Sequence, residues 1–195
     1  MRIVSGRLRG RRLGPVASGT RPTSDRVREA IFNILANGLE EDPVADGHVL
    51  DLFAGSGALG LEAFSRGASS VTFVEKDAVA VRTLRRTISE FGIGEACTVV
   101  QQDAAMFRPP ADAAPISLIL LDPPYRKGLG AGTLQMLAVN TAVNADAIAV
   151  LEEAKGAVKQ APAGWVILQS RVYGTTEITF LKRAPHAAKD AQQAT

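Results

Sequence analysis

The feature that most constrains this chain is a short apolar run that ends abruptly at an acid and two prolines. Residues 118–121 are all apolar, which is typical of a strand buried on both faces of a parallel sheet. Pro123 and Pro124 lack a backbone N–H and cannot extend a central strand, so the strand must end near Asp122. Open α/β sheets bind ligands outside the carboxyl ends of their strands, and this loop is therefore a candidate ligand site.

The loop that follows this strand carries groups suited to a planar amine. The carboxylate of Asp122 and the carbonyl of Pro123 can accept N–H bonds, and the ring of Tyr125 can stack on a heterocycle. We therefore predict four catalytic residues, Asp122, Pro123, Pro124 and Tyr125. Taken alone, the same residues also fit a strand that ends in a proline turn, with a tyrosine at the edge of the core.

A glycine-rich loop earlier in the chain favours the functional interpretation. Residues 55–60 match G-x-G-x-x-G between a predicted strand and a predicted helix, where glycine lets the backbone approach a ligand closely. Glu75 ends the next strand, about 20 residues further on, where an acid accepts bonds from ribose hydroxyls. Asp103 ends the third strand and could bond an adenine amino group. Each residue separately also fits a purely structural role, but together they predict a nucleoside site.

The choice of cofactor depends on one further acid. Asp51 lies close to the glycine loop, which is unfavourable beside a pyrophosphate but favourable beside an ammonium group. Adenosylmethionine carries an ammonium and a sulfonium and no phosphate, so we predict it over the alternative, NAD. The predicted cofactor-binding residues are Asp51, Phe53, Gly55, Ser56, Gly57, Glu75, Lys76, Asp103 and Ala104.

Composition narrows the class of protein. A chain of 195 residues that is 46% hydrophobic suits one α/β domain. The single cysteine, Cys97, provides no disulfide framework, which favours a reducing, cytoplasmic compartment. With only His48 and His186 present, a histidine-centred catalytic or zinc site is not expected, and we predict no metal. The apolar runs are far too short for a membrane span, and no signal-peptide pattern opens the chain.

Positive charge is concentrated at the start of the chain. Residues 1–28 hold eight arginines and one acid, a charge of +7, although the whole chain carries only +2. A basic segment on an acidic domain indicates a polyanionic partner, and arginine favours bidentate phosphate contacts. A solubilising basic face is the alternative. The predicted residues for contacts with the phosphates of this polyanion are Arg7, Arg9, Arg11, Arg12, Arg21 and Arg26.

The alternation of strands and helices predicts an α/β fold with a doubly wound, mostly parallel sheet. We expect a basic hairpin or a disordered arm at 1–13, strands at 48–53, 71–75, 96–101 and 118–121, helices at 25–39, 59–66, 77–91, 131–140 and 146–160, and a closing antiparallel hairpin at 165–170 and 177–181. As domains, we expect a basic extension over 1–20, a catalytic domain over 21–183, and a flexible tail over 184–195.

These motifs together resemble a known family. Residues 51–57, Glu75, residues 103–104 and residues 122–125 are similar to the ordered motifs of Rossmann-type adenosylmethionine-dependent methyltransferases that act on exocyclic amines. Residues 6–13, 21–29 and 51–63 extend the resemblance to the bacterial 16S rRNA guanine-N2 methyltransferases of the D type. The resemblance covers about residues 1–183 and implies a seven-stranded methyltransferase sheet.

The resemblance also implies a reaction and a partner. It implies methylation of one guanine of 16S rRNA, on an assembled or nearly assembled small ribosomal subunit. We expect a monomer that acts on neither DNA nor membranes. Many relatives that methylate guanine N2 carry Asn where this chain has Asp122, and adenine-N6 DNA enzymes share the Asp form. The four-residue motif alone therefore leaves guanine N2 and adenine N6 open.

Overall fold

A seven-stranded sheet organises the structure, a computed structural model that describes residues 1–14, 24–125 and 128–185. A short 3-10 turn, Ala104–Met106, follows the third strand. The helices and strands of the described residues are α1 (Asp25–Asn37), β1 (His48–Leu52), α2 (Ala58–Ser65), β2 (Ser70–Glu75), α3 (Ala78–Phe91), β3 (Cys97–Gln101), β4 (Ile116–Leu121), α4 (Leu129–Leu137), β5 (Val143–Ala154), β6 (Trp165–Tyr173) and β7 (Thr176–Arg183).

The sheet has the order β3-β2-β1-β4-β5-β7-β6. Strands β1 to β5 pair in parallel, whereas β7 runs antiparallel to both β5 and β6. The winding of the sheet reverses between β1 and β4, and this is the position where doubly wound sheets bind ligands. The predicted fold class is confirmed, including the antiparallel hairpin that closes the chain.

Two hydrophobic clusters cover the two faces of the sheet. One cluster joins the N-terminal residues Ile3, Leu8 and Leu13 to α1, α2 and α3. The other joins α4 to inward-facing residues of the central strands and to Trp165. Successive residues of β4 alternate between the clusters, which is why its whole apolar run is buried.

The helix predicted over 146–160 is wrong, because most of this segment lies in strand β5. Its alanines favour a helix locally, but β5 pairs with β4 on one side and with β7 on the other. Pairing and burial of the run 147–151 between two strands outweigh the local preference. This segment supplies the seventh strand of the sheet, and the other predicted helices agree with the structure to within a few residues.

The N-terminal residues 1–14 form a loop that is docked on the domain. The two strands of the predicted hairpin are not formed in residues 1–14, where a single antiparallel bridge joins Arg2 and Arg12. Ile3, Leu8 and Leu13 are buried in the first hydrophobic cluster, so a disordered arm is not what these residues form. Residues 15–23, which include Arg21, and the greater part of the predicted tail, from 186, lie outside the described residues.

A buried carboxylate fastens this loop to the helices. Glu62, in α2, accepts hydrogen bonds from the backbone N–H groups of Val4 at 2.7 Å and Ser5 at 3.0 Å. The same carboxylate pairs with Arg66 at 2.8 Å and lies 3.6 Å from Nε of Arg28. The side chains of both Glu62 and Arg28 are fully buried. Arg28 also pairs with Asp25 at 2.8 Å, but the Asp25 side chain is 44% exposed, so Glu62 is the fully buried counter-charge of Arg28. Removing Glu62 therefore leaves the charge of Arg28 poorly compensated in the core.

We expect Glu62→Gln to lower the free energy of unfolding by about 3 kcal/mol, because the buried Arg28 would keep only the partly exposed Asp25, at 2.8 Å, as an ionic partner. Urea denaturation followed by circular dichroism measures the change. The matched control is Glu90→Gln, since the Arg86–Glu90 pair is exposed and such pairs contribute less than about 1 kcal/mol. Equal losses in the two variants would contradict the assigned role of Glu62.

Candidate functional site

The predicted site residues lie after strands that are neighbours in the sheet. The turn at 53–57 follows β1, Glu75 ends β2, Asp103 follows β3, and the loop at 122–125 follows β4. Because these strands are parallel and adjacent, their carboxyl ends meet at one edge. The structure therefore brings together the glycine loop, the strand-end acids and the proline loop.

The glycine loop needs glycine for two different reasons. Gly57 has a φ of 75°, in the left-handed region that favours glycine, and it caps the start of α2. Gly60 is crowded, because a Cβ there would lie 2.8 Å from Oδ2 of Asp51 and closer still to the ring of Phe73. Phe53 also has a positive φ, of 60°, which is uncommon for an aromatic residue and marks the sharp exit from β1.

Asp51 lies beneath the loop. It is 2% exposed, and its Oδ2 accepts a hydrogen bond from the backbone N–H of Gly60 at 2.9 Å. Burial raises the pKa of Asp51 from 3.8 to about 8, an effect that the Gly60 bond opposes and the nearby charge of Glu75 reinforces. Asp51 therefore ties the start of α2 to β1.

The other acids also hold the backbone of the site. Oε2 of Glu75 accepts from the N–H of Gly55, and its Oε1 accepts from the N–H of Asp77, both at 2.8 Å. Asp103 accepts from the N–H of Ala105 at 3.1 Å and pairs with Lys76 at 3.3 Å. The glycine loop and the turn after β3 are thus each fixed by an acid at a strand end.

The loop after β4 combines buried and accessible residues. Pro123 is buried, Asp122 and Tyr125 are partly buried, and Pro124 is exposed. The hydroxyl of Tyr125 donates to Oε1 of Glu152 at 2.9 Å and lies 3.0 Å from Oγ1 of Thr176. Burial is the first of several effects that raise the pKa of Tyr125 to about 12, so the phenol is protonated at neutral pH.

Sequence reasoning missed Glu152 and Thr176 as residues of this site. Glu152 lies in the segment that the sequence predicts as a helix, and Thr176 precedes the final predicted strand. One signal was present in the sequence. The apolar run 147–151 ends in acids, as the run 118–121 ends in Asp122, and this pattern is typical of a second buried strand with an acid at its tip.

The predicted RNA-binding arginines divide into two groups. Arg7 donates to the backbone carbonyls of Phe64 and Ala68, both at 3.1 Å, near the end of α2. Arg11 donates to the carbonyls of Glu90, at 2.8 Å, and Phe91, at 3.4 Å, at the end of α3. Phe64, Glu90 and Phe91 lie in the last turns of α2 and α3, where a cation interacts favourably with the helix dipole. The guanidinium of Arg7 also stacks on the ring of Phe64, and that of Arg11 stacks on the ring of Phe91.

Arg9, Arg12 and Arg26 form the second group. All three are exposed, and within the described ranges no ion pair or side-chain hydrogen bond holds them. These cations can therefore contact an external partner without breaking an internal interaction.

Comparison with known proteins places the chain in a family. The model of a family described as "Conserved hypothetical protein 95" matches residues 1–182. The chain belongs to this family. It is 36% identical over 193 residues to "Ribosomal RNA small subunit methyltransferase D" of Escherichia coli strain K12, covering 98% of this chain and 94% of that protein. The protein of the same name from Haemophilus influenzae is 33% identical over 177 residues, 89% of each chain.

Solved structures agree with the family. A putative methyltransferase from Escherichia coli has a TM-score of 0.81 and 36% identity, covering 95% of this chain and 98% of that one. An RNA methyltransferase from Salinibacter ruber, solved with S-adenosyl-L-homocysteine, shares the fold at 16% identity, with a TM-score of 0.63 over 87% of this chain and 98% of that one. The predicted family and the predicted enzyme class, a methyltransferase, are confirmed.

The described residues contain neither a candidate membrane-spanning helix nor a candidate metal-binding cluster. Across residues 1–14, 24–125 and 128–185, no helix combines the length and the apolar character that crossing a bilayer requires. The same ranges hold no cluster of three or more His, Cys, Asp or Glu side chains arranged to bind a metal ion.

The buried Asp51 predicts a distinct pH dependence of stability. Because its pKa is higher in the folded state than in the unfolded chain, the folded state holds the proton more tightly between about pH 4 and pH 8. This residue's contribution is present at low pH and is lost as the pH rises through that window. Asp51→Asn keeps an acceptor for Gly60 and should abolish this loss, which we expect to be on the order of a few kcal/mol.

Urea denaturation of both proteins at pH 5 and pH 8 measures this difference. The asparagine variant should gain stability relative to the wild type at pH 8 and should lose that advantage at pH 5. Parallel pH profiles for the two proteins would show that Asp51 is charged in the fold.

Proposed function

We propose that this methyltransferase transfers the methyl group of S-adenosyl-L-methionine to the exocyclic N2 amine of one guanine in 16S rRNA. One observation carries the proposal: the glycine loop after β1 and the proline loop after β4 follow strands that are hydrogen-bonded neighbours. A nucleoside held at the first loop would therefore face an amine held at the second. The names of the Escherichia coli and Haemophilus influenzae relatives support a substrate in the RNA of the small ribosomal subunit.

The residues of the first loop fit the proposed cofactor. Gly55 has a φ of 53°, and a Cβ built on it would meet no atom within 4 Å, so the backbone there faces open space. Glu75 bonds to Gly55 of this loop, and Asp103 follows β3, one strand further along the sheet. Carboxylates at these positions suit ribose hydroxyls and an adenine amino group. The proposed contacts are completed by Asp51, Phe53, Ser56, Gly57, Lys76 and Ala104. The family and the fold shared with the Salinibacter ruber enzyme support the same cofactor.

The loop after β4 would activate the amine by orientation. The lone pair of a guanine amino group is delocalised into the ring, which makes the nitrogen a poor nucleophile. Hydrogen bonds from its two N–H groups to the Asp122 carboxylate and the Pro123 carbonyl would favour a pyramidal nitrogen with its lone pair directed at the methyl group. The ring of Tyr125 would stack on the extruded base, while Pro124 keeps the loop extended. When bound, adenosylmethionine supplies an electrophilic methyl group on a positively charged sulfur.

The chain's contribution to the reaction is then positioning and electrostatics. Asp122 need not be a strong base, because the amine proton becomes acidic only after the methyl group has arrived. The amine proton is then released to Asp122 or to solvent. Preorganised acceptors of this kind account for a large part of many enzymatic rate enhancements. We also propose that the enzyme is monomeric and cytoplasmic. Its partner would be the small ribosomal subunit, with no role for DNA or membranes.

We expect Asp122→Ala to reduce methyl transfer at least about 100-fold, because it removes one of the two acceptors for the amine. Labelled adenosylmethionine and small subunits from a strain that lacks the gene provide the assay. Asp122→Asn is the matched variant, since its amide oxygen still accepts one N–H bond, and it should retain measurable activity. Calorimetry should give a dissociation constant for the cofactor within about threefold of wild type in both variants.

Mapping the labelled nucleotide tests the choice of base. Label at N2 of one guanine supports the proposal, whereas label at N6 of an adenine would favour the alternative that the Asp-Pro-Pro-Tyr motif permits. Equal losses of activity and of cofactor affinity in Asp122→Ala would contradict the catalytic role of this residue.

The arginines allow a test of the proposed RNA surface. We assign phosphate contacts to Arg9, Arg12, Arg26 and, beyond the described residues, Arg21. Arg7 and Arg11 would contact RNA as well, in addition to their contacts with the ends of α2 and α3. The double variant Arg9→Ala/Arg12→Ala should lower the slope of log affinity against log salt by about 1 to 2 without changing thermal stability.

The matched double variant is Arg7→Ala/Arg11→Ala, which removes the same charge. Because these arginines hold the ends of α2 and α3, it should also lower the melting temperature. An unchanged salt slope in the Arg9→Ala/Arg12→Ala protein would mean that these exposed arginines serve only solubility.

A further inference from the structure

The ring of Tyr125 is held at its far end by two other strands. Its hydroxyl donates to Glu152, in β5, and lies within hydrogen-bond distance of Thr176, in β7. A phenol has one hydroxyl hydrogen, and Tyr125 donates it in the hydrogen bond to the Glu152 carboxylate. In the contact with Thr176, the Thr176 hydroxyl is therefore the donor and the phenolic oxygen the acceptor. The side chain is therefore fixed at both ends, by its backbone after β4 and by this pair of partners.

Burial of Glu152 at this position is energetically unfavourable. The residue is 5% exposed, and a buried carboxylate is destabilising unless hydrogen bonds compensate for its lost hydration. Packing of β5 alone would be served by an apolar residue, as it is at Leu151, the neighbour of Leu121 in β4. Here a residue of the loop after β4, Tyr125, donates such a compensating hydrogen bond to Glu152 at 2.9 Å.

We propose that Glu152 and Thr176 are positioning residues that hold Tyr125 ready to stack on the target base, an inference that rests on the proposed function. A mobile tyrosine would lose its rotamer freedom each time a base bound, which would weaken binding and misalign the amine. The pair acts through Tyr125, so its effect should depend on the presence of the phenolic hydroxyl.

Two substitutions of Glu152 separate a hydrogen-bonding role from a charge role. Glu152→Leu removes the acceptor, whereas Glu152→Gln keeps an amide oxygen that can accept from Tyr125. We expect the leucine variant to lower kcat/KM for small subunits about tenfold and the glutamine variant less than about threefold. The cofactor dissociation constant, measured by calorimetry, should stay within about twofold of wild type in both.

A double-mutant cycle tests whether the effect passes through Tyr125. In a Tyr125→Phe background, Glu152→Leu should have no further effect on kcat/KM, because the hydroxyl that it served is absent. Glu153→Leu is the matched control, since this neighbour has the same charge and burial but points to the other face of the strand. Its effect should add to that of Tyr125→Phe.

The outcomes are distinguishable. Equal losses in Glu152→Leu and Glu152→Gln, or losses that add to those of Tyr125→Phe, would overturn the positioning role. If Glu152→Leu does not fold, Thr176→Val in the same cycle tests the second contact, and additive behaviour there overturns the proposal equally. A wild-type protein that methylates no small-subunit RNA would instead overturn the proposed function, and this inference with it.

Discussion

The pairing of β1 with β4 is the constraint on which the site depends. Leu52 lies opposite Leu121, so the chain leaves both strands at the same level of the sheet, once into a glycine turn and once into a proline loop. Burial of both strands fixes this register, because a slip of one residue would turn every side chain to the opposite face. Such a slip of β1 would also turn the side chain of Asp51 away from Gly60. The two halves of the site are therefore aligned by the core of the protein.

Helix α2 joins this site to the basic N-terminal loop. Its first turn is held to β1 through Asp51, and its middle is held to residues 4 and 5 through Glu62. Arg7 then packs against its end. Asp51 and Glu62 thus attach the N-terminal loop, which we assign to RNA binding, to the same helix that begins at the glycine loop. Burying two acids is energetically unfavourable, and each is compensated by backbone N–H groups or by cations.

The sequence predicted what local rules control and missed what distant partners control. The buried run 118–121, its proline ending and the glycine turn are local patterns, and the structure has each of them where expected. Strand β5 was predicted as a helix because its alanines favour one locally, and its pairing with β4 and β7 outweighs that preference. The sequence did not predict the internal hydrogen bonds of Arg7 and Arg11, because their carbonyl partners lie about 57 to 80 residues away in sequence. No periodicity within the chain encodes such contacts.

The distribution of acids explains why this edge of the sheet suits methyl transfer from a cationic donor. Positive charge starts on the donor sulfur and ends on the amine nitrogen, so a carboxylate at the receiving end stabilises the transition state more than the ground state. In the proposed reaction Asp122 occupies that end, and its charge is one of the effects that raise the pKa of Tyr125. A neutral phenol can then stack on the base without adding a second negative charge. The proton on Tyr125, kept there by burial and by Glu152, is therefore part of the same electrostatic arrangement as Asp122.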